Sequence, residues 1–231
     1  MKIKAIFFDL DDTLHNHLKP FNQALKDVFP EINKSIIIEE AYKKFREASD
    51  ELWKAYSENR LSLEEMRIKR IIHALKSLGI VITVEDGARF QAQYEERLKQ
   101  LELFPEVPEL LNTLKRKGYT LGLITNGPIK HQWNKIHKLN LTDFFHKELI
   151  FVSDEIGTAK PEPGIFEEAA RRTRCLSNEL LYIGDSWTND VVGPAKAGWN
   201  SIWFNHRNRK PVTKDRPLGE VNSLEEILLY L

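Results

Sequence analysis

The chain has 231 residues, with 34 Lys plus Arg against 34 Asp plus Glu and a formal net charge of +0 at pH 7. That balance argues against a nucleic-acid or membrane surface held by bulk charge, and no apolar run approaches the ~20 residues of a membrane span. Hydrophobic residues make up 42% of the chain, enough for one large domain and a smaller insert. The single Cys175 excludes an internal disulfide and fits a reducing, cytoplasmic compartment. No signal peptide is expected, because the first residues run directly into an apolar strand pattern.

The run Ile3-Lys4-Ala5-Ile6-Phe7-Phe8 predicts a buried strand. It ends in Asp9-Leu10-Asp11-Asp12-Thr13. A parallel strand buried on both faces is apolar throughout, so this cluster of acids marks the point where the chain leaves the sheet. In open α/β sheets, ligands bind at such carboxyl ends. Asp9 and Asp11 alternate with Leu10 and face the same way, and adjacent carboxylates repel unless a cation or a shared proton relieves them.

From about Lys19 to Gln100 the pattern is helical only. Ile38, Ala41, Tyr42, Phe45, Leu52 and Tyr56 recur at three- and four-residue steps. Ser62-Leu63-Glu64-Glu65 reads as a capping box that opens a helix, and Gly79 closes it. A further helix is expected from Thr83 to Gln100, after which Pro105 and Pro108 punctuate a change of rhythm.

From Val107 onward, helix and strand alternate. A helix through Leu110, Leu111 and Leu114 stops at Gly118 and leads to a strand over Tyr119–Thr125, then to a helix with Pro128 in its first turn. Short strands are expected at Leu149–Val152, Leu180–Ile183 and Ser201–Phe204. Helices are expected at Glu162–Arg172, after the strand to Ile183 as far as Ala197 with Gly198 closing it, and after Ser223. This alternation implies a doubly wound α/β fold, a parallel sheet covered on both faces. The helical block is then an insert: an α/β core of residues 1–16 plus 103–231, with a helical domain of residues 17–102.

Four polar motifs stand at the strand ends. They are Asp9-x-Asp11-x-Thr13, Thr125-Asn126 after the second strand pattern, Lys160 before Pro161, and Gly184-Asp185-x-x-x-x-Asp190. Each alone is a weak signal; together and in this order they are a strong one. The set resembles the haloacid dehalogenase superfamily of phosphohydrolases and covers residues 9 to 190. The resemblance implies a Rossmann-like core with a small helical cap of the C1 type inserted after the first motif. It also implies a Mg²⁺-dependent phosphatase acting on a small phosphate monoester, such as a nucleoside monophosphate or a sugar phosphate, by way of an aspartyl-phosphate.

The roles that follow are those of the family. Asp9 is the nucleophile, and Asp11 protonates the leaving oxygen and then deprotonates the attacking water. Thr125, the Asn126 backbone N–H and Lys160 hold the phosphoryl group. Asp9 and Asp185 bind the metal with the backbone carbonyl of Asp11, while Asp190 and Asn189 act from behind on Lys160 or a metal-bound water. The insert stretch Glu51-Leu52-Trp53-x-x-Tyr56 is similar to that of small-cap pyrimidine nucleotidases, which makes Trp53 and Tyr56 candidates for reading the substrate or for the core of the insert. Asp11 and Asp185 together argue for phosphoryl chemistry over dehalogenation. A phosphomutase, a dehalogenase and a catalytically silent binding or scaffold member remain the alternatives on this fold.

The other polar residues read as unremarkable. Asp12 and Thr13 fit a turn or a cap. His15, His17, His131 and His137 carry no motif and are expected to be solvated, and the basic stretch Asn205–Arg216 is expected to be a solvated loop. The expected partner is a small phosphorylated metabolite, with no nucleic acid and no membrane. The oligomeric state is not readable.

Overall fold

The computed structural model describes residues 2–231. The chain divides into two compact units, Met1–Asn16 with Glu102–Leu231 and, between them in sequence, His17–Leu101. No helix among the described residues is long and apolar enough to cross a membrane.

The first unit is built on a six-stranded, all-parallel sheet. Its strands are β1 (Ala5–Phe8), β2 (Thr120–Thr125), β3 (Ile150–Val152), β4 (Leu180–Gly184), β5 (Asn200–Phe204) and β6 (Gly219–Val221), in the order β3-β2-β1-β4-β5-β6. β1 is central, with Phe8 level with Leu123 of β2 and Ile183 of β4. All of β1 and β4 is buried, as expected of strands covered on both faces. The order reverses around β1, so the carboxyl ends of β1, β2 and β4 flank the topological switch point where ligands bind in such sheets. β6 was not foreseen: Gly-Glu-Val is an edge strand with no apolar run, and only its register against Ile202–Phe204 identifies it.

The second unit contains five helices: α1 (Leu18–Val28), α2 (Pro30–Ser35), α3 (Ile38–Ser57), α4 (Leu63–Ser77) and α5 (Val84–Leu98). The capping box at Ser62 forms as the sequence predicts, with Ser62 Oγ accepting from Glu65 N and the Glu65 carboxylate accepting from Ser62 N. Thr83 and Asp86 make a second one, which starts α5 one residue after Thr83. The core is aromatic: Phe21 lies against Tyr42, Phe45 and Phe90, and Phe45 meets Tyr94 edge-on.

Helices α6 (Val107–Arg116), α7 (Ile129–Lys138), α8 (Ser153–Ile156), α9 (Pro163–Thr173) and α10 (Gly193–Lys196) accompany the sheet. Ile165, Phe166 and Ala169 of α9 pack on Phe7, Leu180 and Tyr182. Three details differ from expectation: the helix expected after Ser223 is a 3₁₀ helix over Leu224–Tyr230, although Ser223 caps it as expected by accepting from Glu225 N. Pro128 precedes α7 as its extended N-cap residue instead of entering the first turn. The helix expected after Ile183 is a π-helical turn over Trp187–Val192 followed by the short α10, where Pro194 brings no N–H to continue the ladder.

Candidate active site

The chain leaves β1 at Asp9, whose N–H still donates to Ile183 O at 2.9 Å. It then turns tightly, with Leu14 N bonded to Leu10 O at 3.1 Å and Asp12 in the left-handed region at φ 69°. Asp tolerates that region better than most residues. Thr13, read from sequence as a turn residue, also joins two strand ends: its hydroxyl donates to Asp9 Oδ2 at 3.2 Å and accepts from Asp185 N at 3.2 Å.

Lys160 is 5% exposed and points into this corner. Its ammonium donates to Asp9 Oδ1, Asp190 Oδ1 and Tyr182 Oη, each at 2.7 Å. Burial disfavours the charge, but Asp190 and Asp9 outweigh it and hold the lysine above its ordinary value. Its backbone is clipped by the Asn126 side chain, which donates to Lys160 O at 2.8 Å and accepts from Lys160 N at 2.9 Å. Thr125, at the end of β2, is buried. Tyr182 was missed because in sequence it is one more β-former in an apolar strand. Its hydroxyl accepts from Lys160 and donates to Ile124 O at 2.8 Å.

Asp9, Asp185 and Asp190 each offer one carboxylate oxygen within 4.8 Å of the others. Asp185 is pushed up to about 8 by burial first and then by the charge of Asp12, with Arg209 opposing. Asp190 is pushed up to about 6, again by burial first, with Lys160 opposing. Three crowded, desolvated carboxylates call for a counter-charge, and hard oxygen donors suit a divalent cation such as Mg²⁺. Asp190 Oδ2 also accepts from Ser186 N at 2.8 Å. That fold-back needs a glycine at 184, where an added Cβ would lie 2.4 Å from the Asp190 carboxyl carbon. Asn189 sits half-buried on the same turn, its N–H 3.4 Å from Ser186 Oγ.

The Asp11 carboxylate is engaged elsewhere. His15 Nε2 lies 2.9 Å from Oδ1, and the Lys135 ammonium reaches both oxygens at 2.5 Å. His15 is fully buried, which corrects the expectation of a solvated histidine. His17 is buried too, within the helical unit. Its Nδ1 accepts from Arg46, whose guanidinium can only donate, and it lies 2.9 Å from Tyr42 Oη, while Nε2 lies 3.0 Å from Tyr94 Oη. His131 is half-buried and His137 exposed.

The basic stretch after β5 is a second correction. Lys210, Lys214 and Arg216 are exposed as expected, but Asn205, His206, Arg207 and Arg209 turn back to the strand ends. Arg207 makes a two-pronged pair with Asp12, at 2.6 Å for both Nε–Oδ2 and Nη2–Oδ1. Arg209 Nη1 donates to Asp185 Oδ2 at 2.8 Å. His206 Nε2 donates to Asp12 O at 3.1 Å and its ring stacks on Phe204. Asn205 closes the turn through Arg209 N and O. The charge run reads as solvated because its acidic partners lie outside it in sequence, Asp12 by 195 residues from Arg207 and Asp185 by 24 from Arg209. Trp53 and Tyr56 belong to α3 of the helical unit, half-buried, with ring centroids 5.1 Å apart.

The family model described as haloacid dehalogenase-like hydrolase matches residues 6–204. The chain is 31% identical to a protein named glyceraldehyde 3-phosphate phosphatase from Methanothermobacter thermautotrophicus, covering 98% of this chain and all of that one. It is 28% identical to the pyrimidine 5'-nucleotidase PynA of Streptococcus pneumoniae, over 99% and 94% of the two chains. A crystal structure of the putative HAD-hydrolase YfnB from Bacillus subtilis bound to magnesium aligns with a TM-score of 0.73 at 26% identity, over 99% of this chain and 98% of that one.

Proposed function

The chain belongs to the haloacid dehalogenase-like hydrolase family, and we propose that it is a Mg²⁺-dependent phosphatase that hydrolyses a small phosphate monoester through a phosphoryl group carried on Asp9. The observation that carries this reading is the Lys160 ammonium, bonded at 2.7 Å to Asp9 and to Asp190, beside a cluster of three carboxylate oxygens. A nucleophilic carboxylate, a fixed cation and a set of hard oxygen donors meet at the carboxyl ends of β1 and β4.

The donor set fits the metal. Asp9 and Asp185 would hold Mg²⁺ with the Asp11 carbonyl, and the bound ion would offset the charge of the phosphoryl group as a Lewis acid. The rest falls to the chain's own groups. Thr125 Oγ1 and the Asn126 N–H hold phosphoryl oxygens. An Asp9 carboxylate oxygen bonds to phosphorus as the ester P–O bond breaks, and the leaving oxygen takes a proton from Asp11. Water then attacks the phosphorus, Asp11 takes its proton, and the bond to Asp9 breaks to release phosphate. Acid–base catalysis by Asp11 supplies about 10²–10⁴ of the acceleration, so most must come from orientation, charge stabilisation and the covalent step. Residues 17–101 act as a cap that selects the leaving group. The names of the relatives favour a sugar phosphate or a nucleoside monophosphate as the substrate.

A screen of phosphate monoesters with Mg²⁺, run on wild type and on Asp9→Asn, tests the reading. Turnover is expected to fall by several orders of magnitude in the variant, and chelation is expected to abolish wild-type activity until Mg²⁺ is restored. Retention of a tenth of the turnover by Asp9→Asn would rule out the covalent route. Undiminished activity in excess chelator would rule out the metal.

A further inference from the structure

We infer that Lys135 is a positioning residue for Asp11, seating its carboxylate for transfer to the leaving oxygen; the inference rests on the acid–base role proposed for Asp11. Lys135 lies on α7, the helix that follows β2, and is only 4% exposed. Its ammonium reaches both Asp11 oxygens at 2.5 Å. Burying an ammonium costs several kcal/mol that an apolar side chain of similar volume would not, so α7 gains nothing from a lysine here unless the charge is used.

The surroundings point the same way. His15 Nε2 holds Asp11 Oδ1 at 2.9 Å from within the β1 loop, while Lys135 comes from α7. Two anchors on separate elements restrict a short side chain that would otherwise rotate among its staggered wells. Gln132 lies one turn before Lys135 on the same face of α7. Its Nε2 donates to Asn126 O at 2.5 Å and stands 3.5 Å from Asp11 Oδ2. Gly127 makes room for it, since an added Cβ would lie 2.6 Å from that nitrogen. The face of α7 that carries Lys135 is thus tied to the strand end bearing Thr125 and Asn126, and Asp11 is referenced to the phosphoryl-binding loop. A general acid has to be held in one place relative to the atom it protonates, and Lys135 and His15 fix where the Asp11 carboxylate stands.

The test uses the full chain with Mg²⁺, two substrates and four variants. The substrates are an aryl phosphate with an acidic phenol, which departs without a proton, and an alkyl phosphate, which needs one. Lys135→Met keeps length without charge, Lys135→Arg restores charge, Asp11→Asn removes the acid, and the fourth combines Lys135→Met with Asp11→Asn. For Lys135→Met, kcat on the alkyl phosphate is expected to fall about 10- to 100-fold, no more than the lower end of the ~10²–10⁴ supplied by acid–base catalysis, because Asp11 itself remains. On the aryl phosphate it should fall far less, with KM little changed on both. Lys135→Arg should recover part of the loss, and the combined variant should be no slower on the alkyl phosphate than Asp11→Asn alone. Melting temperatures are recorded for all; if Lys135→Met does not fold, the same skew is read from Lys135→Arg. A skewed deficit in Asp11→Asn with an even deficit in the Lys135 variants overturns the inference and leaves the role of Asp11 standing. An even deficit in Asp11→Asn overturns the acid–base reading itself.

Discussion

Single side chains in this protein are set by partners distant in sequence. His206 is the clearest case. Its ring stacks on Phe204 at 4.5 Å and donates to Asp12 O, and burial holds the imidazole below its ordinary value of 6.5, with the charge of Asp12 opposing and Arg207 assisting. Because the folded form resists protonation, the unfolded chain binds more protons as the pH falls. The contribution of His206 to stability is therefore complete above about 6.5 and is lost as the pH drops through the lower folded value. Asp185 and Asp190, both raised, act with the opposite sign over the same range, so the loss is read as a difference: between about pH 7.5 and about pH 5.5 the denaturant midpoint of wild type should fall more, or rise less, than that of His206→Gln. An identical slope in the variant would assign the acid sensitivity to other groups.

At the scale of elements, the connection between β5 and β6 behaves as part of the site. It places Arg207 on Asp12 and Arg209 on Asp185, so a guanidinium holds a carboxylate that the proposed mechanism gives to Mg²⁺. The two cations compete for the same oxygens, and removing one should strengthen the other. Arg209→Gln is expected to bind Mg²⁺ several-fold more tightly by calorimetry in the absence of substrate. Weaker binding would mean that Arg209 organises the site instead of competing within it. The π-helical turn after β4 has a similar local logic: Ser186 and Gly184 let Asp190 fold back until it reaches Lys160.

For the whole molecule, the proposal divides labour between the two units. The motif residues lie in the α/β unit, and the helical unit carries Trp53 and Tyr56. If that unit reads the leaving group, Trp53→Ala or Tyr56→Ala should change kcat/KM unequally across substrates, most for a nucleoside monophosphate if a ring stacks on the base. Acetyl phosphate, with almost no leaving group to read, should be little affected. Parallel losses on both substrates together with a lower melting temperature would make the pair part of the helical core.

The sequence by itself determined the α/β class, the parallel sheet, the helical rhythm from about Lys19 to Gln100, the strand-end positions of Asp9, Thr125 and Asp185, and the placing of Lys160 in a loop and of Asp190 just behind Asp185. These follow from local periodicity and from acids that interrupt apolar runs, signals that extend over a few residues. Only the tertiary structure decided that Tyr182 seats Lys160, that His15 and Lys135 hold Asp11, and that Arg207 and Arg209 belong to the strand ends and not to a solvated loop. Edge strand β6 was recognisable only from its neighbour. The reason is physical: whether a buried charge is tolerated depends on a counter-charge a few ångströms away, and across 124 or 195 residues of chain, as for Asp11–Lys135 and Asp12–Arg207, folding alone brings the two together.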